Sequence, residues 1–238
     1  MKNYGLIGKK LSHSFSKAFF NQKFKQLNLK NHNYENYELE NLDNIREFIK
    51  KNKLSGLNVT IPFKQKILNY LDKIDPLARE IGAVNTLKIN NDKIFGYNTD
   101  IYGFEKSIIP LIDNRENALI LGDGGASKTI KFILEKNKIN ITTISRRGRK
   151  NYDNLTKEDI MKNLIIINTT PLGMYPDIKS FPKIPYKHLN SKHLVYDLIY
   201  NPKQTVFLEK AEKQGSNTIN GHKMLKYQAN QAWNIWQK

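Results

Sequence analysis

Cysteine is missing from the 238 residues, so disulfide bonds, zinc–thiolate centres and thiol catalysis are excluded. Long apolar runs are also missing, because segments such as residues 164–167 have the length of a strand and not of a membrane span. The first residues lack the apolar core of a signal peptide. We therefore expect a soluble, cytoplasmic protein.

Acidic side chains are scarce: 22 Asp and Glu oppose 39 Lys and Arg, for a net charge of +17. A charge of this size is compatible with binding to nucleic acid or to an anionic membrane. The lysines are scattered along the chain, however, and no stripe of alternating aromatic and basic residues accompanies them. We interpret the charge as a compositional bias and expect neither a specific nucleic-acid partner nor a membrane. Residues 146–150 are the one local exception.

Strand-like and helix-like segments alternate from end to end, which predicts an α/β fold. We expect one domain in residues 1–100 and a second in residues 101–219. Residues 220–238 are expected to return to the first domain as a helix with one apolar face. The apolar positions of that helix are Leu225, Ala229, Ala232, Trp233 and Trp236.

A glycine-rich turn opens the second domain. The apolar strand 118–121 is followed by Gly122-Asp123-Gly124-Gly125-Ala126-Ser127 and then by a segment with helical periodicity. Glycines permit a tight turn and close approach of the backbone, and a helix N-terminus offers N–H groups to a pyrophosphate. A plain strand-to-helix turn is the alternative, but the flanking strand and helix favour dinucleotide binding.

The next predicted strand indicates which dinucleotide. An NAD site has Asp or Glu about 20 residues after the turn, where it accepts hydrogen bonds from the ribose. Here the strand ends in Ser145-Arg146-Arg147-Gly148-Arg149-Lys150, which contains no acid. Guanidinium groups bind a 2′-phosphate, which a carboxylate would repel. We therefore predict NADP, and a solvated basic loop is the alternative.

Small polar clusters mark the first half of the chain, at residues 12–17, 58–64, 82–86 and 96–100. Each combines hydroxyls, amides or a charge at a predicted strand end or helix start. Open α/β sheets bind ligands at such strand ends. Without a ligand in mind, however, these clusters could equally be polar caps.

These clusters and several later ones occur in the order typical of the shikimate dehydrogenase family, which the sequence resembles over nearly its full length. The motifs are His13-Ser14-x-Ser16, residues 58–64 (NVTIPFK), 82–86 (GAVNT), 96–100 (GYNTD), 122–127 (GDGGAS), 168–174 (NTTPLGM) and 197–202 (DLIYNP), and Gly221 with Met224, Leu225 and Gln228. The resemblance implies an N-terminal α/β substrate domain and a Rossmann-like NADP-binding domain. It also implies reversible, NADPH-dependent reduction of 3-dehydroshikimate to shikimate, a step of chorismate and aromatic amino-acid biosynthesis.

The resemblance further implies roles for individual residues. Lys64 and Asp100 are expected to be the catalytic pair, and which of them transfers the proton is left open. The residues expected to contact the substrate are Ser14, Ser16, Thr60, Lys64, Asn85, Asp100, Tyr200 and Gln228. The residues expected to contact NADP are Gly122, Gly124, Gly125, Ala126, Ser127, Ser145, Arg146, Arg147, Thr169, Met174, Leu198, Gly221 and Met224. Tyr200 is also expected to line the nicotinamide side, and no metal is implied.

Several alternatives stay open at this point. Asp100, Ser14 and Ser16 could each be helix N-caps, and Lys64 could be a surface lysine. The enzyme could be a quinate/shikimate dehydrogenase or a divergent paralogue that uses NAD or a broader range of substrates. Outside that class, the chain could be a basic nucleic-acid-binding protein or an inactive cofactor sensor. The protein is expected to be a monomer or a homodimer.

Overall fold

The chain forms two compact α/β units, as the alternating sequence pattern predicts. In the computed structural model the first unit comprises Met1–Thr99 with Ala229–Lys238, and the second comprises Asp100–Gln228. Of the C-terminal residues 220–238, residues 229–238 belong to the first unit and residues 220–228 to the second. The structure describes residues 1–11, 14–146, 148 and 150–238. No helix among these residues has both the length and the apolarity needed to cross a lipid bilayer.

The first unit is built on a mixed six-stranded sheet in the order β2-β1-β3-β5-β6-β4. Its strands are β1 (Lys2–Gly8), β2 (His32–Glu38), β3 (Leu54–Val59), β4 (Lys73–Ile74), β5 (Thr86–Asn90) and β6 (Lys93–Tyr97). Its helices are α1 (Phe15–Gln26), α2 (Ile45–Lys51), α3 (Phe63–Lys66) and α4 (Pro76–Ile81). Strand β1 pairs in parallel with β2 and β3, whereas β5 is antiparallel to β3 and β6.

Two apolar clusters form the core of this unit, and β1 contributes to both. Tyr4 and Leu6 belong to a cluster rich in aromatic residues, and Ile7 belongs to the other. The split follows from the alternation of side chains along a strand. The aromatic cluster also takes in Trp233 and Trp236 from the last helix. This burial of two tryptophans explains why the C-terminal segment belongs to the first unit.

The second unit is built on a five-stranded, all-parallel sheet in the order β11-β10-β9-β7-β8. Its strands are β7 (Asn117–Leu121), β8 (Asn140–Ile144), β9 (Ile165–Asn168), β10 (Leu194–Asp197) and β11 (Asn217–Asn220). Its helices are α6 (Gly125–Lys136), α7 (Lys157–Lys162) and α8 (Val206–Glu212). Two further helices, α5 (Thr99–Ile108) and α9 (His222–Gln237), contribute residues to both units.

The order of these parallel strands determines where a ligand is expected to bind. The chain moves from β7 outward to β8, and then returns to β9 on the other side of β7. Ligands bind beyond the carboxyl ends of the strands at such a reversal. The loops that leave β7 and β9 carry Gly122 and Thr169, both of which the sequence marks for the cofactor. The topology thus gives these residues a common location.

Candidate active site

Backbone hydrogen bonds gather three of the expected substrate residues of the first unit. The N–H of Thr60 donates to Ile7 O at 2.9 Å, which holds the exit of β3 beside the end of β1. The carbonyl of Lys64 accepts from the N–H of Val84 at 2.8 Å, and Asn85 O accepts from Val59 N at the same distance. Thr60, Lys64 and Asn85 are therefore held at one end of the sheet.

Asn85 also fixes the start of α5. Its Oδ1 accepts from the Thr99 N–H at 2.7 Å and from the Thr99 hydroxyl at 3.1 Å. Because α5 begins at Thr99, Asp100 lies inside the first turn and is not the N-cap. The capping alternative for Asp100 is therefore wrong. A carboxylate in a first turn interacts favourably with the helix dipole, and here it is only 6% exposed.

Ser14 occupies the N-cap position of α1 but makes no capping hydrogen bond with its side chain. Its Oγ is buried and has no hydrogen-bond partner among the described residues. A buried hydroxyl in this state is costly, so a polar ligand group would satisfy it. Ser16, two residues on, hydrogen-bonds the phenol of Tyr34. His13 of the same motif lies outside the described residues.

The glycine turn of the second unit has the geometry that a pyrophosphate requires. Gly122 has φ of 106°, and a Cβ there would lie 2.8 Å from Thr169 Oγ1, so both conformation and space call for glycine. A Cβ at Gly124 would instead meet no atom of the described residues within 4 Å. Helix α6 starts at Gly125, and its N-cap residue, Gly124, has no side chain with which to cap it. Its first N–H groups can therefore receive an anion.

Ser127 stands in the first turn of α6, where a dinucleotide fingerprint has its third glycine. Its side chain is 0% exposed, and its hydroxyl has no hydrogen-bond partner within the part of the chain that the structure describes. The side chain therefore faces the interior of the unit. A contact of Ser127 with a cofactor would have to use its backbone.

The basic loop follows β8 as the sequence predicts. The N–H of Ser145 donates to Lys150 O at 3.3 Å, which folds the loop back on itself. Lys150 pairs with Asp159, with 2.7 Å between Nζ and Oδ2. Arg146 is exposed, and Arg147 lies outside the described residues. Arg146 is thus an exposed cation at the end of β8, where a nucleotide 2′-phosphate is expected.

Thr169 and Met174 lie on the loop that follows β9. The Thr169 hydroxyl donates to Leu121 O at 2.8 Å, which ties this loop to the end of β7 beside the glycine turn. The N–H of Met174 donates to Pro171 O at 3.0 Å and closes a turn. The Met174 side chain is 43% exposed, which is unusual for methionine and suits contact with a flat, apolar ring.

Leu198 and Gly221 approach each other closely. A Cβ on Gly221 would lie 2.0 Å from Leu198 O, and the N–H of Gly221 donates to Ile199 O at 3.0 Å. Only glycine fits at this position. The contact holds the start of α9 against the loop after β10, which also carries the half-buried Tyr200.

Helices α5 and α9 are in close contact near Asp100. A Cβ on Gly103 would lie 2.6 Å from Met224 O and 3.1 Å from Gln228 Cβ. Gly103 is one turn beyond Asp100, so the two residues share a face of α5. The expected substrate residue Gln228 therefore lies near the helix face that carries Asp100.

A buried polar cluster that the sequence did not reveal supports the loops that follow β9 and β10. Asp197 ends β10, and its carboxylate accepts from Asn168 Nδ2 at 3.0 Å, Ile199 N at 3.0 Å and Thr205 Oγ1 at 2.7 Å. Asn168 Oδ1 in turn accepts from the N–H and hydroxyl of Thr170. Asn168 and Asp197 both belong to motifs recognisable in the sequence, which was the signal that could have identified them.

Burial raises the pKa of Asp197 to about 6, although its three hydrogen bonds oppose the shift. Because the folded-state pKa lies above the usual 3.8, the ionised carboxylate opposes folding. This cost is absent below pH 4, grows between pH 4 and 6, and is complete above pH 6. The shift corresponds to about 3 kcal/mol of unfolding free energy.

Replacing Asp197 by asparagine should remove this pH dependence. As pH rises from 4 to 7, the unfolding free energy of D197N is expected to increase relative to that of the parent. Urea unfolding followed by far-UV circular dichroism, which reports on both units, measures it at both pH values. Asp72→Asn is the control, and its difference should change little between pH 4 and 7, because the Arg46 guanidinium and the Ile94 N–H lower the pKa of Asp72 and its titration falls mainly below this range. A D197N difference that does not change with pH would contradict the account.

Comparison with known proteins shows a consistent set of relatives. Residues 6–87 match the profile of the shikimate dehydrogenase substrate binding domain. The shikimate dehydrogenase (NADP(+)) of Methanococcus vannielii is 43% identical, over 98% of this chain and 90% of its own length. A solved shikimate dehydrogenase in complex with NADP+ is 37% identical with a TM-score of 0.89, over 99% of this chain and 90% of its own. The Thermus thermophilus enzyme, solved with NADP(H) and shikimate, is 27% identical with a TM-score of 0.88, over 99% of this chain and 93% of its own.

Proposed function

The chain belongs to the shikimate dehydrogenase family, and from this premise we propose that it catalyses the reversible, NADPH-dependent reduction of 3-dehydroshikimate to shikimate. We assign the substrate mainly to the first unit and the cofactor to the second. The observation that carries the proposal is the glycine turn, where an open position at Gly124 and the N-terminus of α6 follow β7, an interior strand of a parallel sheet. That arrangement suits a dinucleotide.

Lys64 and Asp100 are the proposed catalytic pair. A lysine ammonium polarises a ketone and stabilises the negative charge that develops on its oxygen during reduction. The Asp100 carboxylate orients the ammonium and accepts a hydrogen bond from a substrate hydroxyl. Two hydrogen bonds support this pairing. The Lys64 carbonyl accepts from the N–H of Val84, and Asn85 Oδ1 accepts from the N–H of Thr99, the residue before Asp100. Val84 and Asn85 are adjacent in sequence.

The other substrate contacts follow from the donors available. The Ser14 hydroxyl, which has no hydrogen-bond partner among the described residues, suits the ring carboxylate. The Ser16 hydroxyl would donate to the same carboxylate in place of the Tyr34 phenol oxygen. The Asn85 side chain suits a ring hydroxyl, because its carbonyl oxygen is held by Thr99 and its orientation is therefore defined. Thr60, Tyr200 and Gln228 complete the proposed substrate set. Fixing the ring in one orientation is how these residues would contribute to the rate.

The proposed cofactor set consists of residues at the carboxyl ends of the parallel strands. NADPH supplies the hydride when it is bound. The first N–H groups of α6 hold its pyrophosphate, and Arg146 with Arg147 binds the 2′-phosphate. Thr169, Met174, Leu198, Gly221 and Met224 form the nicotinamide side. Strand β8 is followed by Ser145 and basic residues, with no acid in residues 145–150, which favours NADP over NAD.

The direct test of the proposed activity follows NADPH absorbance with 3-dehydroshikimate as substrate. We expect rapid, shikimate-forming oxidation of NADPH, slower oxidation of NADH and little reaction with 3-dehydroquinate. Equal rates with 3-dehydroquinate would identify a quinate/shikimate dehydrogenase. Binding of NADPH without turnover on either ketone would reject the proposed function in favour of a cofactor sensor.

Arg146→Ala is expected to weaken the preference for NADPH. Loss of a charge-assisted hydrogen bond to the 2′-phosphate should raise KM for NADPH about 10-fold to 100-fold and leave KM for NADH nearly unchanged. Lys157→Ala is the matched control, since it removes one exposed positive charge from the same unit. A similar change in both variants would mean that Arg146 acts only through the overall charge.

The protein is further proposed to act in the cytoplasm, as a monomer or a homodimer. Light scattering on the eluate of a size-exclusion column distinguishes these two states, because their masses differ by one chain of 27.7 kDa.

A further inference from the structure

A chain of buried hydrogen bonds runs through the first unit from β2 to the start of α5. The Tyr34 phenol donates to Asn58 Oδ1 at 2.8 Å, and Asn58 Nδ2 donates to Thr86 Oγ1 at 3.2 Å. The Thr86 hydroxyl lies 3.1 Å from Thr99 Oγ1 and 3.2 Å from Asn85 Oδ1. Asn85 Oδ1 also accepts from the Thr99 N–H. The chain therefore ends one residue before Asp100.

The direction of these bonds is determined by one group that can only accept. The backbone carbonyl of Asn85 lies 3.4 Å from Asn58 Nδ2, so the Asn58 amide nitrogen must point toward it. Asn58 Oδ1 then faces Tyr34 and needs a donor. The phenol of Tyr34 is that donor, and it reaches Asn58 across β1, which lies between β2 and β3. Without the phenol, Asn58 Oδ1 would lose its donor among the described residues.

The surroundings of Tyr34 keep its phenol in this role. Tyr34 is 0% exposed, and its ring stacks on Phe20 at 4.6 Å between centroids. Burial raises the pKa of the Tyr34 phenol far above its usual value, an effect that its hydrogen bond with Ser16 opposes only in part. The phenol therefore stays protonated, and it remains a donor, at any pH at which the enzyme is expected to work.

We propose that Tyr34 is a positioning residue for the reaction. By orienting Asn58, it holds Thr86, Asn85 and Thr99 in place. This arrangement positions the Asn85 side chain, which is proposed to bind the substrate, and the start of α5, where Asp100 lies. This inference rests on the proposed function, since Asn85 and Asp100 are the residues it serves. A fully bonded buried network acts as a unit, whereas one missing partner leaves a group unsatisfied. Tyr34 itself lies at the opposite end of this series of hydrogen bonds from Asp100.

The test compares Tyr34→Phe with Tyr4→Phe. Both variants remove one buried phenol from the same aromatic cluster, and Tyr4 and Tyr34 are paired residues on neighbouring strands. The Tyr4 phenol hydrogen-bonds Gln237 and takes no part in the series of hydrogen bonds that ends at Thr99. We expect Y34F to lower kcat/KM for 3-dehydroshikimate about tenfold, with KM for NADPH within about twofold of the parent. Y4F should match the parent in both.

A second readout does not depend on turnover. In Y34F, hydrogen exchange of the Thr99 amide, measured by NMR, should be about tenfold faster than in the parent, and Y4F should leave it unchanged. Equal behaviour of the two variants in kinetics and exchange would overturn the inference while leaving the proposed function intact. If the parent itself shows no turnover, the proposed function fails, and the exchange rate of the Thr99 amide is then the only test of the inference.

Thr86→Val supplies an independent variant should Y34F fold poorly. Valine keeps the shape of threonine but removes the hydroxyl that links Asn58 to Asn85. T86V is expected to show the same loss in kcat/KM and the same faster exchange at Thr99. If Y34F also folds, the double variant should lose little more than either single variant, because both break one chain. Multiplicative losses would contradict a shared network.

Discussion

Replacing Lys64 by alanine is expected to lower kcat for 3-dehydroshikimate about 10³-fold, within the range for loss of a group that assists proton transfer. Alanine cannot polarise the ketone or stabilise the charge on its oxygen. NADPH binding should stay nearly intact, because the proposed cofactor residues belong to the other unit. Stopped-flow measurement of a single turnover gives the chemical step, and quenching of tryptophan fluorescence gives the dissociation constant of NADPH.

Lys66→Ala is the matched control for this variant. Lys66 is an exposed lysine on the same short helix, α3, so its loss changes the charge of the unit by the same amount. K66A should turn over at the parental rate. Equal turnover in K64A and the parent would reject Lys64 as a catalytic residue. Equal losses of turnover in K64A and K66A would mean that Lys64 acts only through the overall charge of the unit.

The second large effect is expected at Asp100. Asparagine has nearly the shape of aspartate but lacks the charge that orients an ammonium group, so D100N should lower kcat about 10²-fold. Glu105→Gln on the same helix is the control, because Glu105 is involved in a surface pair with Lys136. E105Q should turn over like the parent.

The two effects should not multiply. If Lys64 and Asp100 act as one unit, the double variant K64A/D100N loses little more than K64A alone. Steady-state kinetics on the three variants tests this point. A double variant whose loss equals the product of the single losses would mean that the two residues act separately, and it would contradict the proposed pair.

Much of this architecture was predictable from the sequence. The strand before the glycine turn was expected at residues 118–121, and it is observed as Asn117–Leu121. The apolar face of the last helix was also confirmed, since its five predicted positions are all buried. These segments have strong apolar periodicity, and tertiary packing does not override it.

Two strands could not be predicted from the periodicity of apolar residues. Strand β11 (Asn217–Asn220) has three polar residues in four and forms one edge of its sheet, so it carries no apolar pattern to detect. Strand β4 has only two residues. Both exist because a neighbouring strand offers hydrogen-bonding groups, which is a property of the assembled sheet and not of the local sequence.

The candidate site was predictable in its motifs but not in its support. Lys64, Asp100 and the glycine turn are recognisable as sequence patterns. The bond between Tyr34 and Asn58 joins residues 24 positions apart across an intervening strand, and it depends on the register of β1 with both neighbours. No local rule gives that register in advance. Likewise, the burial of Asp197 depends on Thr205 and Asn168, which the fold brings together.

The most direct test of the central claim is a crystal structure of the protein with NADP+ and shikimate bound. We predict Lys64 Nζ and an Asp100 carboxylate oxygen within about 3.2 Å of hydroxyl oxygens of the shikimate ring, on the side that faces the nicotinamide. A complex in which either side chain points away from the ring, or in which the nicotinamide lies elsewhere, would contradict the account.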